Sequence, residues 1–422
     1  MLSMIIGIDD TDSKKGMCTT YIAAVLMDKL RVYGTIKEYP LLIRLNPNIR
    51  YKTRGNAAIA LQLELKNSMY ISHVKELVSK MVENMAVLSD ENTNPGIVFI
   101  EQVSEKLVKC LRNFSMHAVQ DVLNIKEAID VLESNNIEYV GFKNKRGIIG
   151  ATAAAGFVLT GLPDFTYELI AYRERKRWGM PRNIDEDSVY QAHAVTYPNT
   201  WDTVDLENRR IVCAPHSPDP ILLGIRGNSE TAVRYAFSKI RCEPIERCVV
   251  YKTNQNTDMH LIHARIKDVK QCRSYILNGM VCTSPRTIKG GHVIFEITEN
   301  GASLSCIAFE PTKGFRNIIR QLRIGDHVTV YGSVKDTSLN LEKINITSLN
   351  PYILRNPVCC GKRMKSMGKG KGYRCEKCGA VKHNQMKQII HRDISLGLYE
   401  VPPSARRHLS KPIVRILSHC SE

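Results

Sequence analysis

Three carboxylates fall within four residues near the start of the chain: Asp9, Asp10 and Asp12. Such a cluster repels itself unless a cation sits among the oxygens. Hard oxygen ligands suit Mg2+, and Mg2+ in turn suits a nucleoside triphosphate. The same residues fit a second reading, an Asp-rich turn that caps the following helix. Thr19 and Thr20 stand at the expected start of that helix. A hydroxyl there either caps the helix or joins the free N–H groups in holding a phosphate, and it could itself accept a phosphoryl group.

The far end of the chain carries softer chemistry. Cys359-Cys360 and Cys375-Glu376-Lys377-Cys378 flank a hairpin rich in Gly and Lys. Zinc takes four ligands in a tetrahedron, and the spacing of Cys375 and Cys378 lets one turn present two thiolates. The adjacent pair Cys359 and Cys360 departs from that spacing. The ligands are therefore Cys359, Cys360, Cys375 and Cys378, or a set in which His383 or His391 replaces one of the first two. Between the two ends lie polar clusters: Arg44 to Pro47, Lys52-Thr53-Arg54-Gly55-Asn56, Arg146-Gly147, Gly224 to Gly227 with Arg226, and Thr253 to Asp258. Loop tips after strands are where α/β folds place binding groups, although any one of these also fits an ordinary surface turn. The chain has no Walker A loop, nucleophile elbow or kinase catalytic loop.

The elements that must position these groups follow from hydrophobic spacing. Leu2–Ile8 predicts a strand that delivers the Asp cluster to its end, and a helix follows to about Leu30 with an apolar face of Tyr21, Ile22, Val25, Leu26 and Leu30. Helices fit 70–88, 104–122 and 125–134, with strands over 57–65 and 96–101, an α/β or α+β pattern. A second stretch, about 135–265, opens with a strand over 139–142. Its Gly/Ala-rich segment 147–156 suits a closely packed helix. A strand over 221–225, a helix over 229–241 and a strand over 247–252 then suit a ferredoxin-like module. From about 280 the period falls to two, with strands expected over 280–283, 292–297, 302–309, 327–334 and 339–346 and a short helix near 313–323. Five strands with a helix between the third and fourth is the pattern of an OB barrel, another small β domain being the alternative.

Of the 422 residues, 59 are Lys or Arg and 42 are Asp or Glu, a net charge of +17. Residues 351–422 hold 15 of the basic residues and 4 of the acidic ones. A nearly neutral body with a basic end piece points to a polyanionic partner. No secretory signal is expected, because Asp9 and Asp10 interrupt the N-terminal apolar run. The uncharged run 147–163 is too short to span a bilayer. Thirteen scattered cysteines favour a reducing cytoplasm over a disulfide framework.

Taken together, Gly7-Ile8-Asp9-Asp10-Thr11-Asp12-Ser13, Gly16-Met17-Cys18-Thr19-Thr20, Arg44 to Pro47, Lys52 to Asn56, Arg146 to Ala151, Tyr167 to Arg173, Gly224 to Gly227, Thr253 to Gln255, Phe309 to Thr312, the cysteine hairpin and Tyr399 to His408 resemble, in one order and over nearly the whole chain, the archaeal tRNA-isoleucine 2-agmatinylcytidine synthetase family. The resemblance implies a multidomain α+β chain: a kinase-like α/β domain at 1–134, a ferredoxin-like domain at 135–270, an OB-fold at 275–350, and a zinc ribbon with a basic tail at 351–422. It implies an ATP-dependent ligase that joins agmatine to C2 of the wobble cytidine in the CAU anticodon of an isoleucine tRNA. A phosphorylated cytidine would be the intermediate and AMP a product.

ATP, Mg2+ and a structural Zn2+ are the cofactors implied, with the tRNA and agmatine as partners and neither a membrane nor a protein partner. Asp9, Asp10, Asp12 and Thr19 take the catalytic places, Thr19 matching the family's phosphorylatable threonine. Thr11, Ser13, Gly16, Thr20, Lys52, Arg54, Asn56, Arg146 and Gly147 take the ATP and phosphate contacts. Glu168, Arg226, Asn254 and Asp258 are candidates for agmatine or tRNA, and Asp202 and Asp205 are further carboxylates for the guanidinium tail. The competing reading is a non-catalytic tRNA or single-strand binder built from the OB and zinc modules, for which a carboxylate cluster facing a phosphate has no use.

Overall fold

The computed structural model describes residues 2–53 and 55–418. Arg54, one of the expected phosphate contacts, lies outside the described residues. One ten-stranded sheet runs through the first 253 residues. Its strands lie in the order Glu138–Gly141, Gly96–Ile100, Leu2–Asp9, Ala57–Leu65, Leu41–Arg44, Ile245–Thr253, Thr166–Arg173, Ile221–Gly227 and Thr200–Trp201, with Gly34–Ile36 added on Ala57–Leu65. All neighbours are antiparallel except Leu41–Arg44 with Ile245–Thr253, where two halves of the sheet meet in parallel. Strand Glu138–Gly141 belongs to the first half, so the sheet continues past residue 134.

Alternation along the strands sends side chains to opposite faces and explains why the first half is covered twice. Met4, Ile6 and Ile8 join a core with the helices Thr19–Leu30 and Ile71–Met85. Ile5, Val98 and Ile100 join another with the helices Glu105–Gln120, Ile125–Glu133 and Gly147–Thr160. In the second half, Leu169, Ala171, Leu223 and Ile225 pack on the helices Glu186–Thr196 and Glu230–Lys239. Those six elements run strand–helix–strand–strand–helix–strand with sheet order four-one-three-two. Ile170, Tyr172 and Tyr251 on the opposite face pack with Tyr21 of the first helix. The Tyr251 hydroxyl donates to the Thr20 carbonyl at 2.8 Å, which ties the middle module to the helix that carries Thr19.

Strands Ser274–Val281, Val293–Glu299, Ala302–Ala308, His327–Lys335 and Ser338–Ser348 close a five-stranded barrel. The short helix Phe315–Arg320 lies between its third and fourth strands. The first strand starts at Ser274 rather than near Met280, because Tyr275 and Leu277 already point into the barrel core. Residues 352–389 form strands of two to four residues with almost no core, only Met364 and Cys375 being buried among the large apolar and sulfur-bearing side chains there. The chain then turns back. Gly397–Glu400 adds to the barrel strand Ser338–Ser348, and the segment after it docks on the body, where the amides of Asn256 and Thr257 donate to the carbonyls of His408 (2.8 Å) and Leu409 (3.1 Å). The basic end piece is therefore two structures: an exposed hairpin and a strap built into the body. No described helix is long and apolar enough to cross a membrane.

Candidate functional site

A cavity of about 1230 Å³ opens where the two halves of the sheet and the strap converge, with Cys272, just before the barrel, at its edge. Asp9, Asp10 and Asp12 line it, and so do Thr19, Thr20, Lys52, Asn56, Arg146, Glu168 and Arg226. Strand Leu2–Asp9 ends at the carboxylates, so the sheet fixes their backbone. Asp10 has φ of 59°, the left-handed region, and its amide donates to Asp9 Oδ1 at 2.7 Å. This turn aims successive carboxylates into the cavity instead of continuing the strand.

The N-terminus of helix Gly147–Thr160 lies directly against Asp9. A Cβ on Gly150 would stand 1.9 Å from Asp9 Oδ2, and one on Gly147 would stand 2.7 Å from the Asp9 carbonyl and 2.4 Å from the Gly96 amide. Only glycine allows that approach. Gly147 thus acts beneath the site, as a spacer, and does not line the cavity. Burial and the neighbouring Asp10 push the Asp9 carboxyl well above its ordinary range. Burial raises Asp10 to about 6, against the pull of Arg146, whose Nη2 donates to Asp10 Oδ2 at 3.0 Å. Arg146 also donates to the Asn92 carbonyl and lies 5.3 Å from the Tyr51 ring centre. Carboxylates held this close in low dielectric are poor anions without a cation among them.

Thr19 opens the first helix but does not cap it. Cys18 holds the cap position with no side-chain cap bond, and Thr19 Oγ1 accepts from Thr11 Oγ1 at 3.0 Å. The capping reading of Thr19 therefore gives way to a buried hydroxyl pair at the cavity wall, with Thr19 4% exposed. Thr11 and Ser13 are fully buried and neither lines the cavity. Ser13 and Gly16 exchange backbone bonds of 3.0 and 3.3 Å and close the loop into a tight turn. They shape the loop that follows the carboxylates.

On the opposite wall, Glu168 is 4% exposed. It accepts from Arg226 Nε at 3.1 Å and from Gln255, with Arg44 Nη2 at 4.0 Å. Arg226 also faces Asp202 at 3.6 Å, and Asp202 pairs with Arg406 of the strap. Burial lowers Arg44 to about 10, still a cation at neutral pH.

Two of the expected substrate residues are occupied elsewhere. The Asn254 side chain accepts from the Arg44 amide at 2.7 Å and donates to the Arg44 carbonyl at 2.9 Å, joining the loop 254–258 to the parallel seam. Asp258 binds the buried Lys343 of the barrel and the Lys411 amide, each at 2.7 Å. It is a weld between modules. Asp205, bound to Asn208 and Ser404, is another. Sequence reasoning left Arg44, Gly150 and His408 without individual roles. All three sat inside quoted motifs, and what singles them out is tertiary: they meet the carboxylates, the cavity wall and Arg226 across long sequence separations.

At the other end, the ligand atoms of Cys359, Cys360, Cys375 and Cys378 lie within 4.8 Å of one another. Adjacent cysteines converge because Cys360 takes φ of 50° and Gly361 takes 77°. His391 stands apart, its ring 91% exposed beside Asp393. N–H groups of Cys378 and Lys377 lower the Cys375 thiol to about 7, while hydrogen bonds with Cys378 and Cys375 raise Cys359 to about 12. Four crowded sulfurs of this kind fit a soft tetrahedral cation such as Zn2+.

Carboxylates and guanidinium groups share both walls, Arg146 with Asp10 on one and Arg226 and Arg44 with Glu168 on the other, a lining whose chemistry suits a phosphate and its cation. Comparison with known proteins narrows the class. The model of the TiaS TCKD domain matches residues 5–144, that of the TiaS FLD domain 145–260, and that of the TiaS C-terminal zinc ribbon domain 356–394. The chain is 52% identical over 421 residues to the isoleucine-tRNA 2-agmatinylcytidine synthetase TiaS of Methanosarcina mazei, covering 98% of this chain and 97% of that one. It is 46% identical to the Archaeoglobus fulgidus protein of the same name, covering 97% of each. Among solved structures, a complex of TiaS with its isoleucine tRNA and ATP superposes with a TM-score of 0.89 at 45% identity. A complex of TiaS with the same tRNA, AMPCPP and agmatine superposes with a TM-score of 0.86 at 42% identity, and each match covers 98% of both chains. The chain belongs to the TiaS family.

Proposed function

We propose that this chain uses ATP to attach agmatine to C2 of the wobble cytidine in the CAU anticodon of an isoleucine tRNA, giving 2-agmatinylcytidine. The observation that carries this reading is the shared cavity: the carboxylate cluster, Thr19 and the cationic side chains of Arg44, Lys52, Arg146 and Arg226 line one space that the strap also bounds. Family membership over the full length supports the same substrates. A kinase-like reading of the first half of the sheet and a ferredoxin-like reading of the second are consistent with the element order. The division of labour at 1–134, 135–270, 275–350 and 351–422 is proposed as one of function, since the sheet itself is continuous.

The chemistry follows from the leaving group. The C2 oxygen of cytosine leaves poorly, so an amine does not displace it unaided. Phosphorylation of that oxygen turns it into phosphate, which departs with the C–O electron pair as the amine nitrogen forms the C–N bond and gives up a proton. Lys52, Arg146, Arg44 and Arg226 face the cavity, where each would donate hydrogen bonds to phosphate oxygens. Asp9, Asp10 and Asp12 would hold Mg2+, which neutralises charge on the triphosphate. Cys359, Cys360, Cys375 and Cys378 would hold Zn2+, which folds the hairpin.

Thr19 Oγ1, an acceptor from Thr11, would position or receive a phosphoryl group. Of the four carboxylates weighed for the guanidinium of agmatine, Glu168 and Asp202 face the cavity, whereas Asp205 and Asp258 do not. A cytidine reaches this site only by leaving its stack. The test is mass analysis of nucleosides from a CAU-anticodon tRNA transcript incubated with the chain, ATP and agmatine. The expected result is one modified cytidine per tRNA, absent when agmatine or ATP is omitted. Unmodified cytidine under full conditions would refute the reading.

A further inference from the structure

The strap brings one side chain into the cavity that the chemistry above does not use. Arg407 Nη1 donates to Ser333 Oγ of the barrel at 2.6 Å and to Asn48 Oδ1 of the body at 3.1 Å, and the His408 carbonyl accepts from the Asn256 amide at 2.8 Å. Between these anchors the His408 ring lines the cavity. Arg226 Nη2 lies 2.7 Å from His408 Nδ1. A guanidinium has donors only, so Nδ1 must be the acceptor and the proton of the neutral ring must sit on Nε2. Burial and the cations Arg44, Arg226 and Lys52 keep the ring neutral, well below the ordinary histidine range.

The ring's one side-chain hydrogen bond is that from Arg226, so the Nε2–H has no partner among the described residues, and neither has the buried Nε of Arg44. The two side chains converge over one glycine. A Cβ on Gly55 would stand 2.2 Å from Arg44 Nη1 and 3.3 Å from His408 Nε2. A donor without a protein acceptor, on a ring that lines the cavity among the cations Arg44, Arg226 and Lys52, describes half of a binding site whose other half is an oxyanion.

We propose that His408 is a substrate-binding residue, its Nε2–H donating, beside Arg44, to a phosphate oxygen of the nucleotide that enters the cavity. This rests on the reading that the cavity takes ATP and tRNA. The phosphate belongs either to the triphosphate or to the anticodon backbone. A hydrogen bond of a neutral donor to a charged acceptor corresponds to roughly 10- to 100-fold in affinity.

The test uses two near-isosteres in the full-length chain. In His408→Asn the amide replaces Nδ1, which keeps an acceptor for Arg226 but removes the distal donor. In His408→Gln the amide reaches the place of Nε2 and keeps that donor. The expected result is that Asn raises one KM by roughly 10- to 100-fold and Gln restores it to within a few-fold, with both variants melting close to the parent. A rise in the KM for ATP assigns the triphosphate, and a rise in the KM for tRNA assigns the backbone phosphate.

Restoration by Asn and loss with Gln would overturn the proposal, because His408 would then only hold Arg226. Unchanged KM values in both variants would overturn it as well. Nitrogen-resolved NMR of the histidine-labelled parent gives a readout that needs no turnover and no variant. The His408 ring should show the Nε2–H tautomer and shift when ATP or tRNA is added, and a signal indifferent to both would contradict the proposal. A parent chain that binds ATP and tRNA with this shift but makes no modified cytidine would contradict the ligase reading and leave the His408 contact standing.

Discussion

The two proposed ligand clusters of this molecule are built on opposite principles. Asp9 ends a strand buried on both faces, with Asp10 and Asp12 in the turn that follows, and the sheet and a glycine-lined helix end fix the position of Asp9. Cys359, Cys360, Cys375 and Cys378 sit in a hairpin of two-residue strands with almost no core, so the ligand must do the folding there. The contrast separates chemistry from grip. Damage to the carboxylates should stop the reaction without unfolding anything. Damage to the thiols should loosen the hold on tRNA while the cavity stays intact.

The largest effect is expected at the carboxylates. Asp9→Asn, Asp10→Asn and Asp12→Asn should each lower kcat for ATP cleavage by about a thousandfold or more, since in the proposed role as a metal ligand each supplies several kcal/mol in the transition state. tRNA affinity should stay within a few-fold, measured by filter binding. Thr19→Ala should come next. A lost buried hydroxyl bond costs about 1 kcal/mol of stability, which thermal melting would register as a small shift. A phosphate-positioning or phosphate-accepting role requires a fall in kcat of about a hundredfold or more. Label from γ-labelled ATP on Thr19 would sharpen this to phosphoryl acceptance.

Gly150→Ala should be intermediate. Its Cβ would overlap Asp9 Oδ2, so the carboxylate must move, and kcat should fall by roughly tenfold with little change in the KM for tRNA. Cys375→Ser should release zinc and raise the KM for tRNA by about tenfold, with a shallower salt dependence because fewer phosphate contacts are made. Removing the whole of 351–422 is a different experiment, since it also takes away Arg406, Arg407 and His408 from the body.

The smallest effect concerns pH. Asp10 titrates near 6 in the folded chain and near 3.8 when unfolded. Between those values the folded state holds the extra proton, so this site contributes more stability as pH falls, whereas the anion needed for a cation is lost. From pH 7 to 5, the apparent affinity for Mg2+ in ATP cleavage should fall by roughly tenfold, read from Mg2+ titrations at each pH.

What the sequence made legible follows its local signals. An apolar run ending in three carboxylates marked both the first strand and the site, and a change to period two marked the barrel. Thr166–Arg173 shows only a four-residue apolar run, Leu169 to Tyr172, because Glu168 breaks the pattern before it and Arg173 ends it. Both are buried and paired, Arg173 with Glu243 at 2.7 Å. Leu41–Arg44 is four residues long, too short to show an alternation. Asn254 and Asp258 looked like ligand residues because polar loop residues often are, whereas here they join modules. The return of the strap to the cavity has no periodicity at all: it is written in long-range partners such as Arg226 and Asn256.

The division between chemistry and grip is tested most directly by single-turnover kinetics on a zinc-stripped chain. Zinc is removed with a chelator, the chelator is removed, and Mg2+ is restored before saturating tRNA, ATP and agmatine are added. The rate of agmatine incorporation at saturation should stay within a few-fold of that of the zinc-loaded chain, with the loss confined to the concentration of tRNA needed to reach it. A rate that collapses even at saturating tRNA would contradict that division, and would mean that the cysteine hairpin takes part in forming the reactive site.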